Sequence, residues 1–203
     1  MEFITDPGTI ETKSMEIIKN LLGPLNLNEV EKKVVYRVVH TAGDPKMAPL
    51  VKFSPKATET GVEAFRNGAA LITDVRMLTA GVSKKVLNRL GCELQCAMEV
   101  SEMNPPPKGI TRAMWGIEQL SERINGAVIA IGNAPTALIK LLQMLEEDRV
   151  RPSLIVGTPV GFVGAKESKE YLMEKEIDYI TITGNRGGST IAASIINALL
   201  YAV

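Results

Sequence analysis

Three times between residues 127 and 200 the chain repeats one pattern: a short apolar run, a glycine-marked turn, then a helical stretch. Ala127-Val-Ile-Ala-Ile131 leads through Gly132-Asn-Ala-Pro-Thr136 into Ala137-Leu-Ile-Lys-Leu-Leu142. The run from Ser153 to Val156 leads through Gly157-Thr-Pro-Val-Gly-Phe-Val-Gly164 into Ala165-Lys-Glu-Ser-Lys-Glu-Tyr171. The run from Tyr179 to Ile182 leads through Gly184-Asn-Arg-Gly-Gly-Ser189 into Thr190-Ile-Ala-Ala-Ser194. Continuous apolar strands of this length are buried on both faces. A helix between successive strands makes them parallel neighbours in one sheet. All three turns then lie at the carboxyl edge of that sheet, where ligands of such folds bind.

The middle of the chain supplies two more strands, Ala69 to Val75 and Cys92 to Met98. Between them a loop through Ala80-Gly81-Val82-Ser83 precedes a short helix, Lys84 to Leu90. Ser101 to Gly109, with three consecutive prolines, reads as a loop, and Thr111 starts a helix reaching Ile124. The N-terminal third reads as helical. Ser14 caps a helix ending at Gly23-Pro24, and Asn28 caps one that Gly43-Asp44-Pro45 stops. Ser54-Pro55 opens a third, which ends at Asn67-Gly68. The expected fold is α/β: a mostly parallel five-stranded sheet covered on both faces, after a helical N-terminal third. At 203 residues the chain suits a single domain, 1–203.

Charge excludes some partners. Acidic and basic residues number 23 each, so no overall positive field draws the chain to nucleic acid or to an anionic membrane. No apolar run is long enough for a membrane span, and the first residues lack a basic and apolar leader pattern, so the expected location is cytoplasmic. Cys92 and Cys96 are the only cysteines and His40 the only histidine. The two cysteines fall on a strand as buried, reduced thiols, and no cluster of ligating types predicts a protein metal site.

The turns invite an anion, because glycine lets a ligand approach the backbone and helix starts offer free amides. No Gly-x-x-x-x-Gly-Lys-Ser/Thr run is present, and no Gly-x-Gly-x-x-Gly fingerprint follows a first strand. Carboxylates are the other candidate, and Arg37, Arg112 and Arg186 are suited to hold them. His40 lies three residues after Arg37, near the end of its helix, on a different stripe from Val30, Val34 and Val38. It is the residue type best suited to acid or base work near neutral pH.

Several stretches resemble the precorrin-8X methylmutase family. They are Arg37-Val-Val-His40-Thr-Ala-Gly-Asp44, Phe53-Ser-Pro55, Ile72-Thr-Asp74-Val-Arg-Met77, Gly109-Ile-Thr-Arg112, Ile131-Gly-Asn-Ala-Pro-Thr-Ala-Leu138, Thr158-Pro-Val-Gly-Phe-Val-Gly-Ala-Lys-Glu-Ser-Lys169, Gly187-Gly-Ser189 and Asn197-Ala-Leu-Leu200. They run in the family's order from about residue 4 to the C-terminus. The resemblance implies a three-layer α/β/α fold and an isomerase of corrin (vitamin B12) synthesis. That enzyme moves a methyl group from C-11 to C-12 of precorrin-8 or cobalt-precorrin-8, giving hydrogenobyrinate or cobyrinate. It implies no organic cofactor, and a homodimer with the tetrapyrrole close to the subunit interface.

By the same resemblance, His40 is the catalytic acid that protonates the macrocycle, and Ser14, Arg37, Ser83 and Arg112 contact the substrate. Met77, Met114 and Phe162 are candidates to line the flat apolar body of the ligand. The N-terminal Pro7-Gly-Thr-Ile-Glu11, Gly81-Val-Ser-Lys-Lys-Val-Leu87, Gly91-Cys-Glu-Leu-Gln-Cys96 and the stretch Asn197-Ala-Leu-Leu-Tyr201 look closer to the cobalt-using members, in which cobalt belongs to the substrate. The run Pro105-Pro-Pro107 departs from the family pattern just ahead of Arg112. Two other readings compete. One is a non-catalytic tetrapyrrole carrier using the same pocket. The other is a nucleotide-binding α/β domain, supported only by Gly184-Asn-Arg-Gly-Gly-Ser189.

Overall fold

The structure is a computed structural model, and it describes residues 3–203. In chain order the elements are α1 (Pro7–Leu22), α2 (Glu29–Ala42), a 3-10 helix (Pro45–Leu50), β1 (Val51–Phe53), α3 (Ala57–Arg66), β2 (Leu71–Thr73), α4 (Arg76–Gly81), α5 (Lys84–Leu90) and β3 (Leu94–Cys96). Then come α6 (Ala97–Met103), α7 (Arg112–Gln119), α8 (Ser121–Ile124), β4 (Val128–Ile131), α9 (Pro135–Glu146), β5 (Leu154–Gly157), α10 (Ala165–Met173), β6 (Tyr179–Ile182) and α11 (Ser189–Leu200).

One sheet runs through the centre in the order β1-β6-β5-β4-β2-β3. All its pairings are parallel except β1 with β6. The expected sheet is therefore present with a sixth strand added at one edge. Alternate residues of the buried strands feed two cores. Val128, Ala130, Leu154 and Val156 pack with α2, α3, α5 and α11 on one face. Ile129, Ile131 and Ile155 pack with α7 and α9 on the other. Three layers follow directly from that alternation.

Local chemistry sets several boundaries differently from the sequence reading. Asp6, not Ser14, caps α1: its carboxylate accepts the Thr9 amide at 2.8 Å. Ser14 lies inside the helix and donates to the Ile10 carbonyl at 2.7 Å. Asn28 does cap α2, in a reciprocal box with Glu31, and Gly43 ends that helix in a left-handed conformation. Ser54 caps nothing. Its hydroxyl donates to the Asp178 carboxylate at 2.7 Å and accepts the Tyr179 amide, tying β1 to the start of β6.

The third strand is shorter than expected, because Ala97 already begins α6. That helix takes in Ser101 to Met103, which the sequence assigned to the proline-rich loop, and α4 occupies part of the expected loop before Ser83. Thr111 caps α7 as expected, accepting the Met114 amide. Cys92 and Cys96 are buried and unbridged. No described helix is long and apolar enough to cross a membrane.

Candidate functional site

The three glycine turns meet at one edge of the sheet. The Gly188 amide donates to the Thr158 carbonyl at 2.8 Å, and the Gly161 amide to Asn185 at 3.1 Å. The approach is close enough to demand glycine. A Cβ on Gly187 would stand 2.2 Å from the Thr158 carbonyl oxygen, and one on Gly132 would stand 2.6 Å from Ser189 Cα. Gly187 also has φ +148°. Asp74, fully buried at the end of β2, holds the first turn. Its carboxylate accepts the amides of Gly132, Asn133 and Ala134 at 3.2, 2.8 and 2.9 Å. Burial pushes this carboxyl above the usual range, against the pull of those amides.

Lys169 lies beneath the third turn. It is fully buried, and its Nζ donates to the Arg186 carbonyl at 2.7 Å. Desolvation lowers its pKa to about 8. Asp74 and Lys169 were not singled out from sequence as site residues. Lys169 carried a usable signal, since Ala165, Ser168, Lys169 and Leu172 share one buried helical stripe. Asp74 carried none, because its partners lie some 60 residues away.

The end of α2 reaches the same edge. The Thr183 amide donates to the Leu50 carbonyl, and Arg186 pairs with Asp44 at 2.6 Å. Thr41 and Ala42, just after His40, line a cavity of about 270 Å³ with Val160, Arg186, Gly187 and Thr190. His40 itself is exposed. One turn earlier, Arg37 pairs with Glu11 of α1 at 2.6 Å and lies 5.8 Å from the centre of the Tyr201 ring. The Tyr201 hydroxyl is 3.4 Å from Ser83 Oγ, and Asn197 of α11 fixes the Ser83 amide. Arg37 and Ser83 are thus joined through Tyr201, which the sequence reading did not name as a site residue. Ser14 stands one turn along α1 from Glu11.

Arg112 comes from the opposite layer. It begins α7, and the preceding Thr111 hydroxyl is 2.9 Å from that of Thr136, placing it at the same edge beside the first turn. Unlike Arg37 and Arg186, it forms no ion pair among the described residues, and it is exposed. Of the three apolar candidates, Met77 and Phe162 are 69% and 90% exposed, so they are not core residues. Met114 is half-buried. Val163 beside Phe162 is 89% exposed, which gives the rim an apolar lip.

A larger concavity, about 850 Å³, opens at the opposite edge between α2 and α3. Glu29, Glu59 and Glu63 line it, with Arg66 as its one basic residue. That charge repels carboxylates, so the carboxyl edge is the better candidate. Among the described residues no three His, Cys, Asp or Glu side chains cluster to hold a metal ion.

Fold and edge together define an α/β domain with a glycine-lined rim that is basic at some points and apolar at others. The chain belongs to the precorrin-8X methylmutase family, whose profile matches residues 9–202. It is accordingly an isomerase of corrin biosynthesis. A cobalt-precorrin-8 methylmutase of Leptospira interrogans is 37% identical over 98% of this chain and 96% of that one. A precorrin-8X methylmutase of Pseudomonas aeruginosa is 39% identical over 98% and 97%. The precorrin-8X methylmutase structure from Thermus thermophilus superposes with a TM-score of 0.89, at 33% identity, over 96% of this chain and 95% of that one.

Proposed function

We propose that the chain moves a methyl group from C-11 to C-12 of a precorrin-8 macrocycle, with His40 as general acid. The observation that carries this reading is the placement of the sole histidine. It is solvent-facing, at the end of α2, on the edge that also presents Arg112, the glycine turns and the exposed apolar residues Met77 and Phe162. A macrocycle ringed by acetate and propionate arms asks for that combination. Arginines and free amides suit the arms, and apolar side chains suit the flat body.

The chemical argument is short. Proton transfer from His40 to a ring nitrogen withdraws electron density from the conjugated system, which eases migration of the methyl group between adjacent carbons. The same proton returns to the imidazole once the methyl has arrived, so no net acid or base is consumed. Arg37, Ser83, Ser14 and Arg112 are assigned to hold the arms in place. Arg37 is held between Glu11 and Tyr201, so it is oriented before ligand arrives.

The macrocycle would be the cobalt-bearing one, following the segments that look closer to the cobalt-using members. The active form would be a homodimer. The outer stripe of α1, Ile10, Ile17 and Leu21, is exposed, and Ser14 lies on it, so a partner covering the stripe would also approach a proposed substrate contact.

The direct test is carbon NMR of substrate labelled at the C-11 methyl. The reading requires that signal to move to the C-12 position on incubation with the protein, with cobalt-precorrin-8 turned over faster than the metal-free compound. Tight binding with the label left at C-11 would instead establish the carrier reading.

A further inference from the structure

Arg186 sits in the third glycine turn with its backbone fixed on both sides. The Asn185 carbonyl accepts the Gly161 amide at 3.1 Å, and the Gly188 amide donates to the Thr158 carbonyl at 2.8 Å. The Arg186 carbonyl itself accepts from Lys169 Nζ at 2.7 Å. From this anchored turn the guanidinium crosses to the segment that follows α2. Its Nη1 donates to Asp44 Oδ2 at 2.6 Å and lies 3.6 Å from Met47 Sδ. Asp44 is held in its turn, because its other oxygen accepts the Lys46 amide at 2.9 Å and caps the 3-10 helix.

Partly exposed ion pairs usually contribute little, since two mobile side chains must be ordered to make them. Here the backbone behind one partner and the carboxylate of the other are already in place, so less entropy is lost. The pair is a short link between segments 142 residues apart in the chain. What it fixes is the end of α2. Asp44 follows Gly43, whose amide donates back to the His40 carbonyl at 3.3 Å. The His40 ring has no hydrogen-bond or ion-pair partner among the described residues. Its position therefore depends on where the last turn of α2 stands. Thr41, Ala42, Arg186 and Gly187 line one cavity of about 270 Å³, so the link also sets the spacing of its walls.

We propose that Arg186 and Asp44 are positioning residues for the catalytic acid. Their pair sets the end of α2 against the third turn and so places His40 at the macrocycle. The proposal rests on the role given to His40 above and deepens it. It also takes Arg186 out of the set of arginines suited to substrate carboxylates, because Asp44 already engages its charge.

The test compares Arg186→Gln, Asp44→Asn and the double variant with wild type. Asparagine keeps an oxygen for the Lys46 amide, so the cap of the 3-10 helix survives. Single-turnover conversion of cobalt-precorrin-8 should slow about tenfold in each single variant, with cobyrinate affinity kept within about threefold. The double variant should be no slower than the slower single one, as one shared link requires. Arg186→Lys should recover part of the rate. A pair that only stabilised the fold would lower the thermal midpoint and leave the rate of the folded protein unchanged. His40 is the sole histidine, so its ring gives a single set of NMR signals. In ligand-free protein those signals should broaden in both single variants.

Three results would overturn the link: rates and ring signals that stay as in wild type, rate losses that multiply in the double variant, or a tenfold loss of cobyrinate affinity in Arg186→Gln alone. The last would make Arg186 a substrate contact. His40→Ala, run alongside, separates these failures from failure of the acid reading. If it converts substrate as fast as wild type, the acid reading fails and the positioning role falls with it.

Discussion

The Asp74 carboxylate accepts the amide of Asn133 at 2.8 Å, although 59 residues separate them in the chain. Through that bond and its neighbours, β2 fixes the turn that follows β4. Asp74→Ala would leave three amides facing a space that water reaches poorly. The expected loss of stability is about 2–4 kcal/mol, read from urea unfolding. A loss below about 0.5 kcal/mol would mean that the turn keeps its shape without the carboxylate.

Arg112 forms no ion pair among the described residues, with Glu102 near enough to feel its charge, so its substitution should cost ligand affinity and little stability. Arg112→Ala is expected to weaken cobyrinate binding about 10- to 100-fold while moving the unfolding free energy by less than about 0.5 kcal/mol. Arg112→Lys should recover only part of the affinity, because a lysine cannot reproduce a two-pronged contact. Full recovery by lysine would reduce its role to that of a general positive charge.

Lys169 gives stability a characteristic dependence on pH. In the folded chain burial brings its pKa to about 8, whereas an unfolded lysine titrates near ~10.4. Between those values the unfolded chain holds the proton that the folded chain has released. The stability owed to this residue therefore rises as pH climbs from about 8 to about 10. The difference in unfolding free energy between wild type and Lys169→Met should grow by about 1–2 kcal/mol over that range. Parallel pH profiles for the two proteins would show that the amine titrates as it does in the unfolded chain.

The exposed stripe on α1 makes a prediction about assembly. Sedimentation equilibrium should find wild type as a dimer and the double variant Ile17→Glu, Leu21→Glu as a folded monomer with reduced turnover. A monomeric wild type at micromolar concentration would remove the dimer from the proposal.

The parallel core was legible because its signals are local. Each of the last three strands is a continuous apolar run closed by glycine, and Asn28 with Glu31 spells out a cap within four residues. What escaped depends on contacts far apart in sequence. Val51–Phe53 is too short to show any period, and it becomes a strand only by pairing with β6. Ser54 followed by proline carries the chemistry of a helix cap, but Asp178, 124 residues on, takes its hydroxyl. Ser14 has cap chemistry too, yet Asp6 already meets that need about two helical turns earlier in the chain, and Pro7 follows it with a fixed φ suited to the first helical position.

Of the candidate site, the histidine and the arginines were visible as residue types. Their meeting at one edge was not, since Arg112 arrives from the opposite layer. Met77 and Phe162 illustrate the same limit. Composition alone favours core packing for such side chains, and only the fold turns them outward.

The most direct test of the central claim is absorbance followed over time, without oxygen, after cobalt-precorrin-8 is added to wild type and to His40→Ala. Methyl migration changes the conjugation of the ring and hence its visible bands. The account predicts a corrin-like spectrum developing in wild type, and at least a hundredfold slower change in His40→Ala with ligand affinity kept within about threefold. Conversion at equal rates by both proteins would contradict the role given to His40.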